Sequence, residues 1–433
     1  MSTTTTRPPA GGQEQPEDDK SAKAPPSVEA GSIGDAFRAW VTRVRGGEVG
    51  VLPAMLGLVV LFAVFATLRP DTFLTPYNMS NLVLQASGVV ILAMGLVFVL
   101  LLGEIDLSAG YAGGTAACVL GIVMTRQGLP WPIAVAACLV TGAIIGLAIG
   151  LLVARLGIPS FVVTLAFFLA LQGVMLILIG EGGTIPYRND VILAVMNANM
   201  PLWLGWALTV GAILAYALSS GRRRKARKAS GLRVEPSLLW ILKITVLAVV
   251  LLGFTLLFSI ERAINANITS LKGLPWVVLV LGVLAVGLTL LLSRTAWGRH
   301  VYAVGGNAEA ARRAGINVAR VRLSCFMMCS TLAAIAGIVL ASRTNSVSPS
   351  TGGSDTLLYA VGAAVIGGTS LFGGKGRVVD AIIGGLVVAV IINGLILLNQ
   401  SAGRQYMVTG IVLLVAASVD AISRKRAASS GRV

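Results

Sequence analysis

Charge is scarce in this chain: Asp, Glu, Lys and Arg make up 12% of 433 residues, about half of what a soluble domain carries. Histidine occurs once, at His300, and cysteine four times. Each shortage excludes something. A lone histidine with dispersed acids supplies neither a metal-ligand set nor a nucleophile–base–acid constellation, which argues against a hydrolase. Cys118, Cys138, Cys325 and Cys329 all fall in apolar stretches and offer no disulfide framework. Cys325 and Cys329 share a helix face at i, i+4 and read as small apolar packing residues. The first apolar stretch lacks a small-residue cleavage site and reads as an uncleaved first helix. Charge inside the apolar stretches is missing too, as expected where each charge at a helix centre costs roughly 2.5–3.5 kcal/mol on insertion scales. Lys243 lies within a stretch but near enough to its inner end to snorkel outward. Asp380 and Asp420 sit near inner helix ends, and Glu104 and Asp106 in a tight turn.

What is abundant is apolar surface: 56% of residues are hydrophobic and the mean hydropathy is +0.85. The runs fall at 51–68, 82–102, 107–124, 131–153, 159–180, 203–219, 238–258, 274–293, 323–341, 357–372, 378–398 and 406–422. Most are close to the roughly 20 residues that cross a bilayer as a helix. They are continuous rather than alternating, which excludes a barrel and leaves helices. The expected fold is an all-α polytopic membrane protein of about 12 spans, with 10–12 admissible. Two boundaries stay open. Gly103–Asp106 is either a tight turn or a broken helix, and the glycine-rich tenth run (Gly362, Gly367, Gly368) is either a full crossing or a half-helix that turns back.

Orientation comes from the basic residues. With the N-terminus inside, 26 of the 34 Lys and Arg fall on inner segments and seven on outer ones. Inner loops retain Lys and Arg during insertion, so both ends are expected in the cytoplasm. The net charge of +16 is therefore topology signal, with an affinity for anionic lipid headgroups, and not a nucleic-acid footprint. Three regions follow: a mostly disordered cytoplasmic tail (1–50), a transmembrane domain (51–422) with a basic inner loop at 221–237, and a basic cytoplasmic tail (423–433).

Neutral polar side chains inside the runs suit a path for a hydroxyl-rich solute. Gln85, Thr164, Gln172 and Asn393 are the candidates for lining it, while bonding from helix to helix is the competing role for such groups. Gly142, Gly146 and Gly150 form a double small-xxx-small face expected to pack closely on another helix.

Two loops carry more specific patterns. Residues 367–376 imitate a phosphate loop, but Thr369 stands where a Walker loop needs glycine and Gly376 where it needs Ser or Thr, so no nucleotide site is expected. Within 294–322, Asn307 caps a short helix, Glu309 lies in its first turn, Ala310 and Ala311 continue it, Arg312 and Arg313 close it, and Gly315 ends it. A helix of about two turns is marginal alone, and a partner surface or lipid headgroups would explain its presence.

This loop resembles the coupling-helix segment of ATP-binding-cassette (ABC) importer permeases of the monosaccharide family, the ribose/xylose/arabinose type. Glu104-Ile105-Asp106-Leu107-Ser108-Ala109-Gly110, Gly157-Ile158-Pro159-Ser160-Phe161-Val162-Val163-Thr164-Leu165 and the Gly367–Gly376 stretch are similar to further motifs of that family. Glu104 departs from the glycine common there. The enlarged middle at 203–273 and Arg299–Asn307 resemble the xylose-transport members. The resemblance implies a non-enzymatic transport subunit without cofactor of its own, working as a homodimer with a separate ATPase that binds ATP and with an extracytoplasmic sugar-binding protein. The ATPase is then expected to dock on Asn307–Gly315. The alternative is a proton-coupled secondary transporter of major-facilitator layout. It is disfavoured by the acidic Gly103–Asp106 turn, where that superfamily is basic, and by the lack of an evident ionisable group at depth.

Overall fold

The computed structural model describes residues 50–180, 183–232, 234–263 and 270–429; the expected tail 1–49 and the last four residues lie outside the described residues. In chain order the helices are α1 (Leu52–Leu68), α2 (Pro70–Phe73), α3 (Pro76–Leu101), α4 (Ala109–Gly121), α5 (Trp131–Ala154), α6 (Ser160–Ile179), α7 (Asp190–Asn197), α8 (Leu202–Ala229) and α9 (Ser237–Ser259). Then follow α10 (Trp276–Arg294), α11 (Ala296–Gly306), α12 (Ala308–Arg313), α13 (Val318–Thr344), α14 (Ser354–Ile366), α15 (Val378–Leu397) and α16 (Ala402–Ser429). The described strands are β1 (Ile185–Pro186) and β2 (Ser346–Val347), paired antiparallel. Five helices (α5, α6, α8, α9 and α10) start directly after a proline with extended backbone. Proline fixes φ and offers no N–H to continue a preceding helix, so it sets these boundaries.

Among the described residues, eight helices are long and apolar enough to cross a membrane: α3, α5, α6, α8, α9, α10, α13 and α15. Shorter apolar helices are α1, α14 and the stretch Ala402–Val415 of α16. The expectation of about 12 spans, with 10–12 admissible, changes at the two boundaries left open. The third run yields only α4 and a π-helical turn, Ile122–Arg126. The tenth yields only the 13 residues of α14, about 20 Å of helix against a hydrocarbon core of about 30 Å. The physical reason lies in the segments before them. Residues 102–108 and 345–353 are mostly non-helical yet enter the bundle, so α4 and α14 each begin inside it.

These two breaks are counterparts. A long helix, a non-helical segment, a short helix and a second long helix make up α3–α4–α5, and again α13–α14–α15. α3 packs against α13, α14 and α15, while α13 packs against α3, α4 and α5. α3 and α13 run antiparallel, because Gly88 faces Leu340 and Gly95 faces Cys329 and Leu332. The starts of the two short helices meet: a side chain on Gly110 would collide with the Gly352 carbonyl, and one on Gly352 with the Gly110 carbonyl. Helix N-termini, with their free N–H groups, thus converge inside the protein.

The buried core follows this frame. Phe98, Phe326, Met94, Leu100 and Leu120 are fully enclosed. The glycine face of α5 fits α13 at backbone distance. A Cβ on Gly142 would stand 2.6 Å from the Ser330 carbonyl oxygen, on Gly146 2.5 Å from that of Phe326, and on Gly150 2.9 Å from the Leu323 Cα. By contrast α8 and α9 pair mainly with each other, through a 2.6 Å Thr209–Thr255 hydrogen bond, and keep most of their apolar surface exposed.

Asn393 forms part of a clasp. Its Nδ2 donates to Asn78 Oδ1 at 2.9 Å, and Asn78 Nδ2 returns the bond at 3.0 Å. Both amides are buried, and together they tie α15 to the first turn of α3. Asn393→Ala would leave Asn78 Oδ1 unpaired, while its Nδ2 keeps the Phe73 carbonyl at 3.0 Å, at a cost of about 1–3 kcal/mol. Asn78→Ala with Asn393→Ala should lose less than the sum of the two single variants. Thermal unfolding of the detergent-solubilised variants checks this, and strict additivity would contradict the clasp.

Candidate coupling surface and permeation path

The candidate coupling surface is built around α12. Asn307 Oδ1 accepts the Ala310 N–H at 2.9 Å, Glu309 lies in the first turn, and Arg312 and Arg313 form the last. Glu309 reaches both arginines, at 2.8 and 3.4 Å. All three charged side chains are more than half exposed, so these pairs contribute little stability, about 0–1 kcal/mol each. Gly315 takes φ +83°, and the Gly315 and Ile316 N–H groups bond back to the Arg312 and Ala311 carbonyls, closing the helix as its sequence predicts. Ala310 is exposed, whereas Ala311 is buried and seats the helix on the protein. The surface so presented is Asn307, Glu309, Ala310, Arg312 and Arg313. Beside it a hollow of about 300 Å³ opens between Ala154 at the end of α5, Arg312, Ile316, Val318 and Arg322.

This platform is fixed to the membrane helices at several points. Trp297 Nε1 donates to Ser324 Oγ at 2.8 Å. Tyr302 Oη donates to the Gly376 carbonyl at 2.8 Å, and burial pushes the Tyr302 phenol above its ordinary pKa, with Asp380 adding to the effect. Gly305 lies so close to the Leu101 carbonyl that no Cβ would fit, and the Gly374 N–H donates to that same carbonyl at 2.9 Å. The 367–376 stretch is thus a structural wrap around the C-terminal ends of α3 and α11, held by Gly368, Gly373 and Gly374 at positive φ. Glu104, for which the sequence offers no role, pairs with Arg322 on α13 at 3.3 Å. The first break is thus joined to α13 by Arg322 and to α11 by Gly305, the two helices that flank α12.

The four side chains expected along the path separate. Thr164 is buried and donates to the Ser160 and Ile105 carbonyls at 2.8 and 3.2 Å, tying α6 to the first break. Asn393 is engaged in the clasp. Gln85 is partly buried with its Oε1 unpartnered. Gln172 is partly exposed and lies within reach of the Tyr111 hydroxyl. Two acids were hidden from hydropathy. Asp106, placed in a turn by the sequence, is buried in the first break, where its Oδ1 accepts from the Ser108 N–H at 2.9 Å and hydroxyl at 2.6 Å while Oδ2 has no partner. Asp355 sits in the first turn of α14, which the hydropathy pattern assigns to a loop. No group of His, Cys, Asp and Glu among the described residues could hold a metal ion.

The sequence matches the family described as the branched-chain amino acid transport system / permease component over residues 78–417. The xylose transport system permease protein XylH of Haemophilus influenzae is 36% identical over 385 residues, 89% of this chain and 99% of that protein. The ribose import permease protein RbsC of Escherichia coli is 32% identical over 372 residues, covering 85% and 92%. The fructose import permease protein FrcC of Rhizobium meliloti is 29% identical over 379 residues, 87% of each. No solved structure matches. These are transport subunits rather than enzymes, embedded in the plasma membrane by multiple helices, and such permeases in general operate with an ATPase and a substrate-binding protein. The match across most of the chain places this protein in that family: the chain belongs to the ABC-importer permeases, in the branch that contains the monosaccharide permeases.

Proposed function

We propose that this chain is the membrane-spanning half of an ATP-driven importer for a monosaccharide, D-xylose foremost, and that it works as a homodimer by alternating access. The observation that carries the reading is α12: a capped, exposed helix seated through Ala311 between α11 and α13, both of which touch the first break. Two ATPase domains on another chain close on ATP, and α12 of each copy, contacted through Asn307–Gly315, moves with them. The motion passes through Gly305 and Leu101 to the segment 102–108 and re-poses the bundle so that sugar delivered from outside leaves to the cytoplasm. Nucleotide must favour one arrangement over the other, since equal affinity for both shifts nothing. Xylose is favoured by the likeness to the xylose permeases along almost their whole length, including the enlarged middle that forms α8 and α9. The basic end of α8, Arg222–Lys228, lies at the inner headgroups and anchors this hairpin on anionic lipid.

Asp106 is what the alternative, a proton-coupled carrier, would require, because it is a carboxylate inside the bundle. Uptake in cells separates the two. Xylose accumulation should survive a protonophore while ATP is maintained and stop when ATP is depleted. Accumulation that collapses with the proton gradient at constant ATP would select the carrier.

A further inference from the structure

We infer a sugar-contact subsite in the outer third of the membrane domain, formed by Asp355 and Tyr406 with Tyr111, Phe168, Gln172 and Tyr359 around them. The inference rests on the transport reading above and locates where this chain itself first holds the solute.

Depth comes from the packing of α14 on α15. Gly367 abuts the Asp380 backbone and Gly384 abuts Ala363, so the helices run antiparallel in one constant register. That register places Asp355 level with Ile392, five residues or about 8 Å short of the outer end of α15. Tyr406 gives an independent value. It lies four residues, about 6 Å, into α16, and its hydroxyl donates to Asp355 Oδ2 at 2.6 Å.

Asp355 nevertheless lies on an exposed face of the chain, beside Ser354 and Tyr406. A carboxylate at that depth is not tolerated against lipid tails and faces either a water-filled path or protein. The groups around it are those that recognise a polyhydroxylated ring. Asp355 accepts hydroxyl protons, and Tyr406, Tyr359 and Tyr111 both donate and accept. Gln172 offers an amide beside Tyr111, and the buried Tyr111 ring backs the partly exposed Phe168 ring edge to face at 4.8 Å, so that Phe168 can meet sugar C–H groups. Few polar groups on an aromatic wall is the usual composition of a small-molecule site. The floor is the meeting of the two breaks, since the Tyr111 hydroxyl lies against Gly353, next to the start of α14.

The test uses the complete transporter, chain with ATPase and binding protein, in vesicles supplied with labelled D-xylose and ATP. Asp355→Asn and Tyr406→Phe should each lower the initial uptake rate at limiting sugar about tenfold or more, the scale of one hydrogen bond to a charged group, while the complex purifies intact. Uptake by both variants at the parental rate across all sugar concentrations overturns the subsite. A second measurement guards against variants that fail to assemble. Cysteine at Ser354→Cys should react with a membrane-impermeant thiol reagent from outside, and D-xylose should slow the reaction; the four native cysteines are buried. No labelling, or labelling that sugar leaves unchanged, also overturns it. A parental transporter that accumulates neither xylose, ribose nor fructose refutes the transport reading itself, which is a distinguishable result.

Discussion

Replacing Arg312 and Arg313 together by Glu is expected to abolish ATP-driven uptake, by 100-fold or more, while the protein still inserts and purifies. The two arginines end α12 with their side chains 65% and 80% exposed, and they hold no other described part of the fold together. Their pairing with Glu309 is solvent-screened, so its loss costs the chain only about 0–1 kcal/mol for each of the two pairs. What the substitution does is turn a cationic patch anionic on the one helix that stands ready for a partner. Like charges placed across an interface cost several kcal/mol and suppress association. Co-purification of the ATPase reports the effect directly. A variant that keeps both the ATPase and its uptake would move the docking surface away from Asn307–Gly315.

The second large effect concerns the α5–α13 contact. Gly146→Ala places a methyl group 2.5 Å from the Phe326 carbonyl oxygen and 2.6 Å from the Met327 Cα. Backbone atoms of a neighbouring helix cannot rotate aside as a side chain can, so the two helices must separate along the face that Gly142 and Gly150 share. Overpacking of this kind costs about 1–3 kcal/mol or more, and the helix pair sits at the centre of the bundle. We expect a lower thermal midpoint and aggregation on solubilisation. Gly253→Ala makes the same chemical change where nothing lies within 4 Å, and it should leave the midpoint unchanged or raise it through helix propensity. Equal behaviour of the two variants would contradict the close approach.

The features legible in the sequence are those whose physics is local. The cap at Asn307, the charge order Glu309 to Arg312 and Arg313, and the stop at Gly315 act within one or two turns, so spacing alone reveals them. Gly142, Gly146 and Gly150 announce a close contact through their periodicity, though not that α13 would be the partner. Hydropathy left both breaks undecided, between a tight turn and a broken helix at Gly103–Asp106 and between a full crossing and a half-helix in the tenth run. It averages over a window, and residues 102–108 and 345–353 border runs apolar enough to merge with full spans. This is why Asp106 looked like part of a turn at the membrane surface, and why Asp355 fell in a presumed outer loop. Asn393 shows the other limit: its partner Asn78 is 315 residues away, a distance no periodicity encodes. Glu104, a departure without a reason in the sequence, acquires one only when Arg322 is brought beside it.

On the proposed function, this chain conducts sugar but draws its driving force from a nucleotide-hydrolysing partner seated on α12. The direct measurement is D-xylose accumulation in sealed vesicles containing the purified chain alone, the chain with its binding protein, and the chain with binding protein, ATPase and ATP. Accumulation against a gradient only in the last set, and its loss when ATP is replaced by a non-hydrolysable analogue, is the predicted result. Accumulation by the chain alone, driven by an imposed proton gradient and indifferent to ATP, would contradict the account.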